Sequence, residues 1–204
     1  MIDIFDIKLD LNNIICHSGG AQGADTYWAD IGREYGVKTK AYSYRTKYHD
    51  SPDKIEISDE DYQEGIIQVN KANKVLSRYG IHKYMKLLAR NWAQVKYSDE
   101  IFAIGYIIEP GKKGKRGYYN KSKYQVLDGG TSYAIQMGIN NNLPIFVFDQ
   151  DKDNWFRWSY TSFSFIECDT PSIKSQNFAG IGTREIKQNG INAIREVYNL
   201  TFSK

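Results

Sequence analysis

The sequence predicts an α/β protein: a mostly parallel sheet with helices on both faces and a small antiparallel hairpin at its edge. Three observations carry this. Short β-branched runs alternate with stretches of helical spacing along most of the chain, as they do in successive βα units. One run, "IFAIGYII" (101–108), is apolar almost throughout, as expected of a central strand covered on both faces. Residues 154–168, "NWFRWSYTSFSFIEC", instead alternate apolar and polar, the pattern of an antiparallel pair at an edge.

The first strand lies within "NIICHS" (13–18) and ends in glycines. A helix runs from Asp25, with Trp28, Ala29 and Ile31 on its apolar side and Gly36 at its close. "VKTKAYSY" (37–44) reads as the next strand and "RTKYHDSPDK" (45–54) as a polar loop. "SDED" (58–61) has the Ser-x-x-Asp form of a capping box, so a helix follows with Ile66, Val69, Ala72 and Leu76 on one side. A second helix fits 82–97, turning Leu87, Leu88, Trp92 and Val95 inward. After the central strand, "EPGKKGKRGYYNKSKYQV" (109–126) is a basic insertion with Lys112, Lys113, Lys115, Arg116, Lys121 and Lys123. It reads as a solvated loop at the tip of a short hairpin, with closure over an anionic ligand as the alternative. "DGGTSYAIQMGI" (128–139) returns to glycines and helical spacing, and "LPIFVFD" (143–149) is another buried strand. The segment 178–200, "FAGIGTREIKQNGINAIREVYNL", reads as strand, glycine turn and helix. No repeat, linker or low-complexity tract divides the chain, so one domain over 1–204 is expected.

Composition narrows the function classes. Of 204 residues, 41% are hydrophobic and 25% charged, ordinary for a globular protein, while 16 Tyr give dense cores or recognition surfaces. A net charge of +3 is too small for a nucleic-acid footprint. Cys16 and Cys168 are far apart and read as free thiols; His17, His49 and His82 form no metal motif. No cofactor or metal is expected. No apolar run is long enough to span a membrane, so a cytoplasmic protein is the default.

Three segments share the layout strand, glycine turn, helix: "HSGGAQGAD" (17–25), "LDGGTSYA" (127–134) and "AGIGTRE" (179–185). In an open parallel sheet such turns gather at the carboxyl edge of the strands, where ligands bind. Glycines let a ligand approach the backbone, and helix N-termini favour phosphate. The candidate ligand-binding residues of these turns are therefore Ser18, Gly19, Gly20, Gly23, Asp25, Gly129, Gly130, Thr131, Ser132, Gly182, Thr183 and Arg184; Arg90 and Asn91 join them on the resemblance described next. No G-x-x-x-x-G-K-[ST] occurs, and no G-x-G-x-x-G opens a first βα turn. The first absence excludes a P-loop NTPase and the second argues against a dinucleotide dehydrogenase.

"SGGAQGAD" (18–25) resembles the signature turn of the SLOG superfamily, which includes the Lonely Guy phosphoribohydrolases and the DNA-processing SMF proteins. "ARNWAQVKYSDEIFAIG" (89–105) followed by "GGTS" (129–132) is similar to the Lonely Guy layout. The elements "ARNW", "GGT" and "FAGIGTRE" resemble a SLOG-like branch found in phages among other sources. The resemblance implies a Rossmann-like fold that binds nucleotides or their derivatives, often as a homodimer or higher homo-oligomer. In the hydrolase branch an Arg acts on the N-glycosidic bond of a nucleoside monophosphate, and Arg90 matches it by position; the place of Arg90 before a strand edge favours phosphate contact. In the hydrolase branch a Glu three residues beyond the Thr of the glycine turn also acts; here that position is Ala134. This departure argues for holding a ligand over hydrolysing it, although Asp25, Asp128 and Glu185 remain as other acids. The family's usual first Gly-Ser-Arg turn does not precede residue 13, whereas 179–197 looks like that unit moved to the C-terminal end. A circular permutation is expected. The leading function is sensing or sequestering a phosphate-containing signal, of ADP-ribose or cyclic-nucleotide type; in a phage it would act as an anti-defence sponge. The alternatives are an N-glycosidic-bond hydrolase and, third, single-stranded DNA binding, against which the modest charge argues.

Overall fold

The computed structural model describes residues 9–46, 49 and 51–203. Strand β1 (Ile15–Ser18) leads through the glycine turn into helix α1 (Ala24–Glu34), and β2 (Lys38–Ser43) and β3 (Lys54–Glu56) follow. Helices α2 (Asp59–Leu76) and α3 (Met85–Lys96) are joined through a 3-10 turn at Ile81–Tyr84 and precede β4 (Glu100–Gly105). The short strands β5 (Ile107–Ile108) and β6 (Val126–Leu127) bracket the basic insertion. Then come α4 (Thr131–Asn140), β7 (Ile145–Asp149), β8 (Asn154–Ser159), β9 (Ser164–Cys168), β10 (Asn177–Gly182) and α5 (Gln188–Phe202).

Among the described residues, eight strands form one Rossmann-like sheet in the order β3-β2-β1-β10-β4-β7-β8-β9. Every pair from β3 to β7 is parallel; only β7–β8 and β8–β9 are antiparallel. The α/β class, the parallel sheet and the antiparallel edge hairpin are as the patterning predicts. The C-terminal strand is central: Cys16 of β1 registers with Phe178 on one side of β10, and Glu100 of β4 with Phe178 on the other. Counted from β10, with the short edge strand β3 left out, strands β2, β1, β10, β4 and β7 stand in the order 3-2-1-4-5. Strand order therefore reverses at β10, which puts a crevice at its carboxyl end.

Each central strand feeds two cores by simple alternation. Ile101 and Ala103 pack with Leu88, Trp92, Tyr133 and Met137 under α2, α3 and α4. Phe102 and Ile104 pack with Trp28, Phe178, Ile194 and Tyr198 under α1 and α5. Gly32 has no Cβ where Tyr198 Oη approaches, and that hydroxyl donates to the Trp28 carbonyl at 2.7 Å. Trp28 and Trp92 are thus core residues. Ser58 caps α2 by accepting from the Asp61 amide at 3.0 Å, as its sequence motif predicts.

Four details differ from the sequence reading. The run 101–108 is not one strand. It breaks at Tyr106, where the Asp149 carboxylate accepts the Ile107 amide at 2.8 Å and turns the chain into a separate pair. β3 forms an outer strand just where the polar loop was expected to end; apolar periodicity cannot reveal three exposed residues held by a parallel ladder to β2. Residues 47, 48 and 50 of that loop lie outside the described residues. The helix read at 82–97 begins with a 3-10 turn, and its α-helical part covers Met85–Lys96. The glycine pair before α4 follows β6 of the side pair and not a strand of the main sheet.

Candidate functional site

A cavity of about 480 Å³ opens at the carboxyl end of β10. Its wall gathers nine of the fourteen sequence candidates: Asp25, Arg90, Asn91, Gly129, Gly130, Thr131, Gly182, Thr183 and Arg184. They arrive from the start of α1, from α3, from the turn before α4 and from the end of β10. Ser18, Gly19, Gly20, Gly23 and Ser132 are not in the wall, and each has a local task instead.

Arg90 is the central feature. It is 5% exposed, and its Nη1 has no hydrogen-bond partner among the described residues. The nearest carboxylate oxygen is Asp25 Oδ2, at 3.9 Å. Burial works against the guanidinium charge, the Asp25 carboxylate supports it, and Arg184 adds a smaller repulsion. Gly19 makes room for this side chain: a Cβ at 19 would overlap Nη1 and crowd Asp25. The glycine is therefore needed for the close approach of an arginine, where a ligand was expected.

Asp25 binds the crevice together. Its Oδ1 accepts the Gly182 amide at 3.1 Å and its Oδ2 the Ala21 amide at 3.4 Å. Burial raises its pKa above the usual carboxylate value, and Arg90 partly offsets this. Ser18 is fully buried and donates to the Asp25 carbonyl at 3.2 Å. Gly20 lies in the left-handed region with φ 60° and packs against His49. Gly23, with φ 107°, packs against the backbone of Thr183 and Arg184. The β1 turn is thus stitched to β10.

The second turn is held as firmly. Ser132 donates to the Gly129 carbonyl at 2.7 Å, and Thr131 donates to the Gly182 carbonyl at 2.9 Å. Both hydroxyls expected to face a ligand are spent on backbone. Asp128 accepts from the amides of Arg116 and Gly129, at 2.9 and 2.8 Å. The third turn has no helix start behind it. α5 begins only at Gln188, so a helix N-terminus does not reinforce Thr183 and Arg184.

Sequence reasoning missed several residues of the wall. Arg78 donates to the carbonyls of Gly129 at 2.5 Å and Leu127 at 2.8 Å, and lies 4.4 Å from the Tyr118 ring centroid. It braces the turn and has little left for a ligand. Arg116 and Tyr118 come from the basic insertion, so that segment is not simply a solvated loop. Arg116 Nη2 reaches Thr183 Oγ1 at 3.4 Å and Glu185 Oε1 at 3.6 Å, strapping the insertion across the crevice. Lys115 and Lys187 share Asp151 nearby. Tyr84, Leu87 and Leu88 also line the cavity. Their signal was present: they precede Asn91 at seven, four and three residues, on one helical face.

Ala134, at the position where the resemblance would place a glutamate, lines the cavity and presents only a methyl group. Glu185 is the most exposed carboxylate of the wall, with its side chain 75% accessible. Among the described residues no group of three or more His, Cys, Asp or Glu side chains is arranged to hold a metal, and no helix is long and apolar enough to cross a membrane. Comparison with family models, curated proteins and solved structures finds no match to this chain.

Proposed function

We propose that this protein binds a phosphate-bearing, nucleotide-derived small molecule in the crevice at the end of β10 and holds it without cleaving it. One observation carries the reading: a buried arginine in the cavity wall whose Nη1 lacks a hydrogen bond among the described residues. A buried cation with one distant counter-charge is costly, and an anion held beside it in the cavity would lower that cost as a second counter-charge. Arg184 and the first turn of α4 add favourable charge beside it. The absence of a glutamate at Ala134 supports holding over hydrolysis, as does the commitment of Asp25 and Asp128 to backbone amides.

Hydrolysis of an N-glycosidic bond is the second reading, favoured by Glu185 alone, because it is an accessible carboxylate in the wall. One experiment separates the two. The protein is incubated with a panel of nucleotides and cyclic ADP-ribose isomers, freed of excess, heat-denatured, and the released compounds are separated. Intact ligand supports holding. A free base with a sugar phosphate supports hydrolysis. Release of nothing, with a salt-sensitive shift of a DNA oligonucleotide, would overturn both.

We also propose that β10 and α5 are the first βα unit of a SLOG-like fold carried at the other end of the chain. The 3-2-1-4-5 order counted from β10 supports this, as does the place of Thr183 and Arg184 beside the β1 turn.

A further inference from the structure

The small net charge of the chain is unevenly spread. Residues 65–98 and 110–127 contain thirteen of the 27 Lys and Arg and none of the 24 Asp and Glu. The rest of the chain therefore sets 14 cations against all 24 acids. The fold brings the two acid-free stretches together at the mouth of the cavity. Arg78 Cζ lies 4.4 Å from the Tyr118 ring centroid and Lys121 Nζ 4.8 Å from that of Tyr79, and Arg78, Tyr79 and Tyr118 all stand in the cavity wall. Around them Lys83, Lys86, Lys112, Lys113 and Lys121 are exposed. None of these five is in an ion pair among the described residues, whereas Lys115 and Arg116 are held by Asp151 and Glu185. The wall itself is nearly balanced, since Arg78, Arg90, Arg116 and Arg184 face Asp25, Asp128 and Glu185. The excess positive charge at the mouth is thus on the rim.

We infer that this lysine rim is an electrostatic funnel, which gathers anions from solution and passes them to the cavity. The inference rests on the phosphate reading above and adds how the site selects its ligand: by charge, at the encounter. A cleft with low-dielectric walls and one sign of charge at its mouth focuses the field and raises the association rate of an oppositely charged ligand. The exposed lysines need not touch the ligand to do this. Their field extends about 8 Å at physiological ionic strength before salt screens it. The same exposure means that they add little once the ligand is seated. Rim charges act on the association rate and its salt dependence, whereas buried charged contacts act on dissociation. The two tasks therefore fall to different residues: capture to the lysines of the rim, retention to Arg90 in the wall.

The test is stopped-flow binding of a fluorescent N-methylanthraniloyl AMP to the intact chain. The association rate is expected to fall on the order of tenfold between low and high salt, with the dissociation rate nearly constant. The Lys83→Glu/Lys121→Glu variant is expected to lose on the order of tenfold in association at low salt and to show a flatter salt dependence. The Lys83→Gln/Lys121→Gln variant should show a smaller loss in the same rate, and it carries the test if charge reversal prevents folding. The control is Lys38→Glu/Lys174→Glu, which changes the net charge equally at the other edge of the sheet, where Lys38 opens β2 and the Lys174 amide meets Glu100 at the start of β4. It should associate at the wild-type rate. Equal losses in the rim and control variants overturn the funnel, because net charge alone would then explain them. A wild-type association rate that ignores salt also overturns it, as does a rim variant altered only in dissociation; in each case the phosphate site still stands. No binding of the probe at any salt overturns the phosphate reading and this inference together.

Discussion

Arg90 Nη1 lies 3.9 Å from Asp25 Oδ2, too far for a hydrogen bond, although both side chains are more than nine-tenths buried. The pair is a loose contact in a place where charges are normally paired closely. Arg90→Ala should therefore weaken binding of a phosphate ligand by about 1.5–3 kcal/mol, the worth of a charged hydrogen bond. Arg90→Lys should recover part of this, since it restores the charge without the fork. Unchanged affinity of the alanine variant in calorimetry would remove Arg90 from the site.

Asp25 gives the same contact a pH signature. Burial raises its folded pKa above the ordinary value of 3.8. Between those two values the folded chain holds a proton that the unfolded chain has released, so this group makes stability fall as pH rises through that window. Below 3.8 the contribution is level. Urea unfolding of Asp25→Asn, which has no proton to exchange, should lack this part of the pH slope. Identical slopes in the two proteins would contradict the assignment.

Gly19 tests whether the arginine's position matters. Gly19→Ala puts a methyl group where the guanidinium lies. Overpacking of this kind costs about 1–3 kcal/mol. Affinity for phosphate ligands should fall along with stability. A variant that loses stability and binds as before would mean that Arg90 can shift without consequence.

Arg116 ties the basic insertion to Thr183 and Glu185 through exposed contacts. Arg116→Ala should cost less than about 1 kcal/mol of global stability, as exposed pairs do. Its effect should be local: faster amide hydrogen exchange across 111–119, read by mass spectrometry. Protection unchanged across those residues would show that the strap is held by its other contacts.

β10 is flanked on both sides by parallel neighbours, and Phe178 is fully buried. A chain ending at residue 176 should fail to fold cooperatively in circular-dichroism melts. A permuted chain that starts at residue 171 and joins the old ends by a flexible Gly/Ser linker should fold. A stable, ligand-binding fragment lacking 177–203 would count against the central role of β10 and against the permutation.

The α/β class, most element positions and the glycine turns of the crevice are legible in the residues alone, because strand and helix periodicity are local. Arg90 is marked by its place ahead of a buried strand, which is visible in one dimension, and Asn91 by the "ARNW" resemblance alone. What those turns do follows from long-range packing. Ser18, Ser132 and Thr131 looked like ligand donors, yet their hydroxyls end on carbonyls at 3.2, 2.7 and 2.9 Å. Arg78 and Arg116 reach the crevice from segments 51 and 67 residues away from their partners Gly129 and Thr183. No local pattern encodes such pairings, because they depend on where the chain returns. The clearest case is β10, at one end of the sequence and at the centre of the sheet. Its composition predicts a strand, but its place between β1 and β4 follows from burying Phe178 and Ile181 on opposite faces at once, which only the assembled layers allow.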